Sequence, residues 1–287
     1  KPFVEKNTPF DVDVIGVDRD GKALAGAEIE VKAVRKDWAY KKGRYVELEK
    51  DPQVCAVAAA KDPVPCSFKT PQGGTYAVTA TILDDKGRSN TTSLTFWVSG
   101  GDTPKSRDVA QEKVQLIPDK KDYAPGNTAE LLIQAPFYPA EGLVTWRRGG
   151  MVKIEKIALT GPTKVITVPI TDQMTPNLHV QVDLVGASDR LDDNGNADPK
   201  LPKRPAYAVG TINLSIPPRQ RTLAVSVSPA VPKLGPGETT KLSVAVKDAA
   251  GRPVPDAEVA VIVVDEAILS LTGYQFPDPV GSFYPGR

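Results

Sequence analysis

The chain has 287 residues, and 40% of them are hydrophobic, which is enough for packed cores and too many for a disordered chain. Its 36 basic and 35 acidic residues nearly balance, so its charge gives no electrostatic basis for binding nucleic acid or an anionic membrane. One histidine and two cysteines cannot complete a tetrahedral zinc shell without carboxylates.

No apolar run approaches the roughly 20 residues that a membrane span needs. The first ten residues, KPFVEKNTPF, lack the apolar core of a signal peptide. We therefore expect the numbering to start inside a mature protein or inside part of a longer one. The 23 glycines and 27 prolines are spread evenly, a pattern typical of short strands joined by tight turns.

The first predicted module spans residues 1–103. Its strand AEIEVKAV follows a turn that begins at Asp18, and two more alternating strands flank the turn at 84–87. Cys55 and Cys66 lie 11 positions apart on either side of Pro-rich turn material. We interpret them as a disulfide that staples a hairpin, which requires an oxidising compartment. The alternative is two inert buried thiols.

The second predicted module spans residues 104–218 and contains the alternating strands TAELLIQA, MVKIEKIAL and LHVQVDLVG. Strand parity places His179 on the outer face if Leu178 and Val180 point inward. Asp192 begins an oxygen-rich stretch, DDNGNAD, that resembles a calcium loop in composition, but its glycine is misplaced and no bidentate glutamate follows. A solvated turn is the simpler interpretation.

Two further features of this module have structural and functional interpretations. Trp146, followed by Arg147 and Arg148, is either a contact patch or a packed tryptophan at a strand end. The polar stretch SDRLDDNGNADPKLPKRPAY is predicted to be a long loop. The linkers at 100–104 and 217–218, which flank the module, are candidate hinges.

The third predicted module spans residues 219–287 and is incomplete. Its sequence from Asp248, DAAGRPVPDAEVAVIVV, repeats the pattern of DRDGKALAGAEIEVKAV from Asp18, and GPGETTKLSVAV repeats APGNTAELLIQA. We expect strands TLAVSVSP, TTKLSVAVKD and AEVAVIVVD, with Val263 and Val264 in the core. Asp265 and Glu266 are expected to be turn or helix-start residues, since neighbours on a strand would point to opposite faces. The predicted fold class is all-β, in tandem antiparallel sandwiches.

The end of the chain, AEVAVIVVDEAILSLTGYQFPDPVGSFYPGR, resembles a signature of the bacterial α2-macroglobulin family. The family pattern is a strand running into Val-Asp-Glu-Ala-aliphatic-Leu, then Pro-Asp-Pro, then Phe-Tyr-x-x-Arg. YAPGNTAELLIQAPF and PNLHVQV in the second module resemble the same family. Neither cysteine is followed by the Glu-Gln of the family's thioester motif.

The resemblance implies seven-stranded macroglobulin domains, similar to fibronectin type III modules, in a large periplasmic, cell-surface or secreted protease trap. In such traps a protease cuts a bait segment and the chain rearranges around it. By this resemblance Tyr284 and Arg287 stand where the bait region begins. The implied partners are target endopeptidases, reached through the full-length protein, and neighbouring macroglobulin domains of the same chain.

We therefore expect a scaffold with no catalytic residue, no metal and no cofactor. The alternative hypothesis is a tandem Ig-like adhesion or structural stalk of the cell envelope, whose strands and turns would look much the same. Enzyme activity is disfavoured, because the sequence has a single histidine and contains neither a nucleophile-elbow nor a P-loop pattern.

Overall fold

A computed structural model describes residues 1–41, 44–84, 86–102, 111–192, 194–235, 237–275 and 277–286. Strands account for 52% and helices for 7%, which confirms the predicted all-β class. The strands form two sandwiches, here called the N-terminal sandwich (residues 1–102) and the central sandwich (111–216). Residues 217–286 are called the C-terminal segment. In the described part of the chain, no helix is long and apolar enough to cross a membrane.

The N-terminal sandwich packs a five-stranded sheet, in the order β1-β7-β6-β3-β4, against the two-stranded sheet β2-β5. Its strands are β1 (Phe3–Val4), β2 (Phe10–Val14), β3 (Glu28–Lys41), β4 (Arg44–Ala58), β5 (Val64–Phe68), β6 (Gly74–Leu83) and β7 (Ser89–Val98). Pairing is antiparallel except at the edge, where β1 runs parallel to β7. The alternation in β3 buries Ile29, Val31 and Ala33, as its period-2 pattern predicts.

Aromatic side chains fill the centre of this sandwich. Phe10 of β2 stacks on Phe96 of β7 with ring centroids 4.0 Å apart, and Tyr76 meets Phe10 edge-on. The structure contains the Cys55–Cys66 disulfide, with Cα atoms 6.0 Å apart. It joins β4 of the larger sheet to β5 of the smaller one, so it links the two layers covalently.

The central sandwich packs the sheet β12-β11-β14-β15-β8 against the sheet β13-β10-β9. Its strands are β8 (Gln111–Lys113), β9 (Gln115–Pro118), β10 (Thr128–Gln134), β11 (Ala140–Arg147), β12 (Met151–Leu159), β13 (Thr163–Pro169), β14 (Asn177–Ser188) and β15 (Arg204–Ser215). A 3₁₀ turn, Asp172–Met174, precedes β14. The edge strand β8 runs parallel to β15, and the other pairs are antiparallel.

The core of the central sandwich comes from the inward positions of β10, β11 and β14. Leu178 and Val180 are fully buried, which leaves His179 half-buried on the outer face, as strand parity predicts. Trp146 is buried in the core, so it is a packed tryptophan at a strand end and not part of an exposed contact patch.

The C-terminal segment contains a 3₁₀ turn (Arg219–Arg221), the hairpin of β16 (Ala224–Pro229) and β17 (Leu242–Lys247), and two short helices, α1 (Glu266–Thr272) and α2 (Pro279–Phe283). The predicted strand AEVAVIVVD is wrong for this structure, because residues 257–264 form no ladder. The prediction that Val263 and Val264 are core is also wrong: they are 83% and 45% exposed. A strand needs a neighbour to accept and donate its backbone hydrogen bonds, and none lies beside these described residues.

One turn geometry occurs four times in the part of the chain that the structure describes, beginning at Asp18, Asp84, Asp192 and Asp248. In each, the aspartate Oδ1 accepts hydrogen bonds from the backbone N–H groups two and four positions ahead. The fourth residue of each turn is a glycine with φ between 74° and 80°, a backbone conformation that other residues rarely adopt. The carboxylate therefore fixes the turn that connects the two halves of a hairpin.

Candidate functional site

The candidate site is the end of the described chain, which sequence analysis assigned to the start of the bait region. Helix α1 begins after Asp265, whose side chain caps it by accepting from Ala267 N at 2.8 Å. Helix α2 begins after Asp278, whose side chain accepts from two backbone N–H groups at 3.0 Å. Both aspartates cap helices, which confirms the structural role expected for Asp265.

Tyr284 is held by a single arginine. Arg221 Nη1 donates to the Tyr284 hydroxyl at 3.0 Å, and the guanidinium lies 5.0 Å from the tyrosine ring centroid. The Nη2 of Arg221 pairs with the Asp172 carboxylate on the central sandwich. The Tyr284 hydrogen bond, followed by the Asp172 charge, raises the pKa of Arg221. We call these three residues the Tyr284 anchor.

An apolar groove lies beside the Tyr284 anchor. Leu223 and Val225 line one side and Val280 and Phe283 of α2 the other. Phe283 is 80% exposed, so the groove is open to solvent. The last described residues are therefore placed by a polar anchor and an open groove rather than by burial in a core.

The extended stretch at 257–264 presents an apolar face to solvent. The internal repeat places Val259, Val261 and Val263 at the positions that Ile29, Val31 and Ala33 occupy in the N-terminal sandwich. Those three residues of β3 are buried, because β4 and β6 flank β3 and the second sheet covers it. The stretch thus has the side chains of a central strand without that strand's neighbours.

Comparison with known proteins decides the family. The family model described as "Alpha-2-macroglobulin bait region domain" matches residues 114–271, more than half of the chain. The chain belongs to the alpha-2-macroglobulin family. The match covers the central sandwich after β8 and the C-terminal segment through most of α1.

The similar curated proteins include alpha-2-macroglobulins of several bacteria. An alpha-2-macroglobulin homolog of a Nostoc strain is 26% identical over 96% of this chain and 15% of its own length. The alpha-2-macroglobulin of Escherichia coli K12 is 23% identical over 99% of this chain and 17% of its own length. Among solved structures, the native conformation of the E. coli protein aligns with 99% of this chain and 18% of that one, at 20% identity and a TM-score of 0.37. The chain thus spans about a sixth of the length of these relatives.

The other candidate residues that the sequence predicts are dispersed over this family member. Arg147 donates to the Gln181 side chain at 2.8 Å, and Arg148 donates twice to the Thr175 carbonyl. Asp192 is a turn residue of the recurrent kind. The described residues contain no group of three potential metal ligands. Arg287, assigned with Tyr284, lies outside the described residues.

Sequence analysis missed Arg221 and Asp172. Arg221 lies 63 positions from Tyr284, and Asp172 lies 49 positions from Arg221. Neither residue belongs to a motif. The turn that begins at Asp192 had a usable signal, because Asp192 and Gly195 have the same spacing as Asp18 and Gly21.

Proposed function

We propose that this chain is scaffold for a bacterial alpha-2-macroglobulin-like broad-spectrum protease inhibitor that acts as a protease trap. The observation that carries the proposal is the bait region domain match over 114–271. The scaffold consists of macroglobulin domains at 1–103 and 104–218 and a partial one at 219–287. It performs no catalysis and needs no cofactor.

In this proposal the bait region begins at Tyr284 and Arg287. The Tyr284 anchor supports this role, because it fixes the chain direction through exposed polar contacts that open without unpacking a core. The apolar face at 257–264 supports a partial domain, because its repeat equivalent in β3 is central to a complete sandwich. Its completion by neighbouring macroglobulin segments of the same chain would bury that face.

The partners in this proposal are endopeptidases that cut the bait region, and the location is the periplasm or the cell exterior. The Cys55–Cys66 disulfide supports that location, since such bonds persist in oxidising compartments. An Ig-like stalk is less well supported, because the family match is to a bait region domain.

Limited proteolysis of the full-length protein tests the proposal. Trypsin, chymotrypsin and elastase are applied briefly and separately, the new N-termini are sequenced, and the hydrodynamic radius is followed. We expect all three enzymes to cut within one short tract just beyond Arg287, followed by compaction. Cuts scattered among the loops at 100–105 and 188–206 without compaction would refute the trap and favour the stalk.

A further inference from the structure

The two sandwiches meet through a buried apolar junction. Phe3 of β1 packs against Ile117 of β9 and Leu132 of β10, and all three are at most 4% exposed. Leu132 points away from the core of its own sandwich, where alternation would leave it in water. It is buried because Trp97 and Phe3 of the N-terminal sandwich cover it. The junction is therefore a small core shared between the two sandwiches.

Polar contacts continue the junction into the first linker. Gly100 N donates to Thr163 Oγ1 at 2.9 Å, and the Tyr138 hydroxyl donates to Asp102 at 3.1 Å. Lys1 Nζ pairs with the Glu130 carboxylate of β10 at 2.5 Å. The described part of the linker is thus bound to the central sandwich along its length.

A second contact lies away from this junction. The β3–β4 hairpin extends to the turn at 192–196, and Gly195 lies against Tyr40. A β-carbon at Gly195 would be 2.5 Å from Tyr40 Cγ, so any other residue would force Tyr40 to move. Tyr45 packs edge-on against Tyr40, with ring centroids 5.1 Å apart. At the equivalent glycines, Gly21, Gly87 and Gly251, a β-carbon would meet nothing within 4 Å.

The junction with the C-terminal segment is of a different kind. Ile216 is the last buried residue, and every described residue from 217 onward is at least partly exposed. Among the described residues, the contacts across it include the ion pairs of Arg219 with Asp122 at 3.0 Å and of Arg221 with Asp172. Salt screens exposed ion pairs but leaves an apolar junction intact.

We propose that the two sandwiches form one rigid arm, locked at the Phe3 junction and at the Tyr40–Gly195 contact, and that the chain bends at 217–222. The bend responds to ionic strength, because the exposed ion pairs of Arg219 and Arg221 cross it. Of the two candidate hinges in the sequence, only the Pro217–Pro218 linker then acts as one. This inference does not depend on the protease-inhibitor role.

Electron paramagnetic resonance distance measurements on the whole chain test the proposal. Spin labels on cysteines at exposed Lys86 and Lys156 span the first junction, and labels at Lys156 and Lys241 span the second. We expect a narrow distance distribution for the first pair at both low and 1 M salt. For the second pair we expect broadening at 1 M salt. Equal widths for the two pairs, or broadening of the first, would overturn the proposal.

The recurrent turn supplies a matched control for the Tyr40 contact. Gly195→Ala and Gly21→Ala impose the same backbone strain, since φ is 79° and 80° in the same turn. Only the first introduces a methyl group against Tyr40. We expect Gly195→Ala to broaden the distribution across the first junction and Gly21→Ala to leave it unchanged. Identical behaviour of the two variants would refute the role of the Tyr40–Gly195 contact. Circular dichroism checks that each variant is folded.

Discussion

The ion pair between Glu112 and Arg204 offers the sharpest test of the central sandwich. Arg204 Nη2 donates to Glu112 Oε1 at 2.7 Å, and the two side chains are 1% and 8% exposed. The pair joins β8 to β15 at a parallel sheet edge, directly after the link between the sandwiches. We examine Glu112→Gln, which keeps the shape of the side chain and removes its charge.

The expected cost follows from burial. Removing the charge of one partner of a buried pair takes away a charge-assisted contact in a low dielectric, which costs roughly 3–5 kcal/mol of unfolding free energy. An exposed pair is worth about 0–1 kcal/mol, because water already solvates both ions. Replacing both residues, as in Glu112→Leu with Arg204→Met, removes the charge together with its partner. We expect this double variant to be close to the parent in stability.

Urea unfolding measures these changes in the central sandwich. Trp146 reports on it alone once Trp38 and Trp97, which lie in the N-terminal sandwich, are replaced by phenylalanine. Glu155→Gln is the matched control, because Glu155 pairs with Lys153 at 2.8 Å on an exposed strand. A Glu112→Gln cost within the range of this control would refute the reasoning that the pair is desolvated.

Three other predictions concern stability. Replacing Cys55 and Cys66 by serine should destabilise the N-terminal sandwich by about 3 kcal/mol, since the bond closes an 11-residue loop; reduction of the parent should reproduce the loss in urea melts. Tyr123→Phe should cost about 1–3 kcal/mol, because the buried hydroxyl donates to Asp119 at 2.8 Å; a variant of unchanged midpoint would contradict this. The pKa of Asp84 is lowered by the backbone N–H and then the guanidinium of Arg88. The contribution of the Asp84 carboxylate to the free energy of unfolding is therefore present above about pH 4 and is lost as the pH falls through the lowered pKa. The melting temperature of Asp84→Asn should therefore depend less on acid pH than that of the parent.

Local patterns in the sequence determine the β class and the turns. Side chains alternate along β3 with a period of two, and each recurrent turn needs an aspartate acceptor and a glycine three positions later. These features depend on residues a few positions apart, so they can be predicted before any tertiary contact is known. The disulfide was predictable for the same reason, since Cys55 and Cys66 flank a short turn.

The repeat also shows where local pattern misleads. Residues 28–34 and 258–264 share one sequence pattern, yet only the first forms a strand. Alternation states which side chains share a face, but hydrogen-bonding neighbours decide whether the backbone joins a sheet. The resemblance to the family predicted that the candidate site lies at the end of the chain. Only the tertiary structure showed that Arg221 and Asp172 hold Tyr284 there.

The contacts that organise the molecule join residues far apart in sequence. Arg221 meets Tyr284 63 positions away, Glu112 meets Arg204 92 positions away, and the Tyr40–Gly195 contact spans two sandwiches. Each is a single polar or aromatic contact without periodicity, so no sequence pattern marks it. Strand propensity and turn chemistry are local properties that the sequence alone determined. Which faces are buried, which ions lose their water and which junction can bend are properties of packing, and only the tertiary structure decided them.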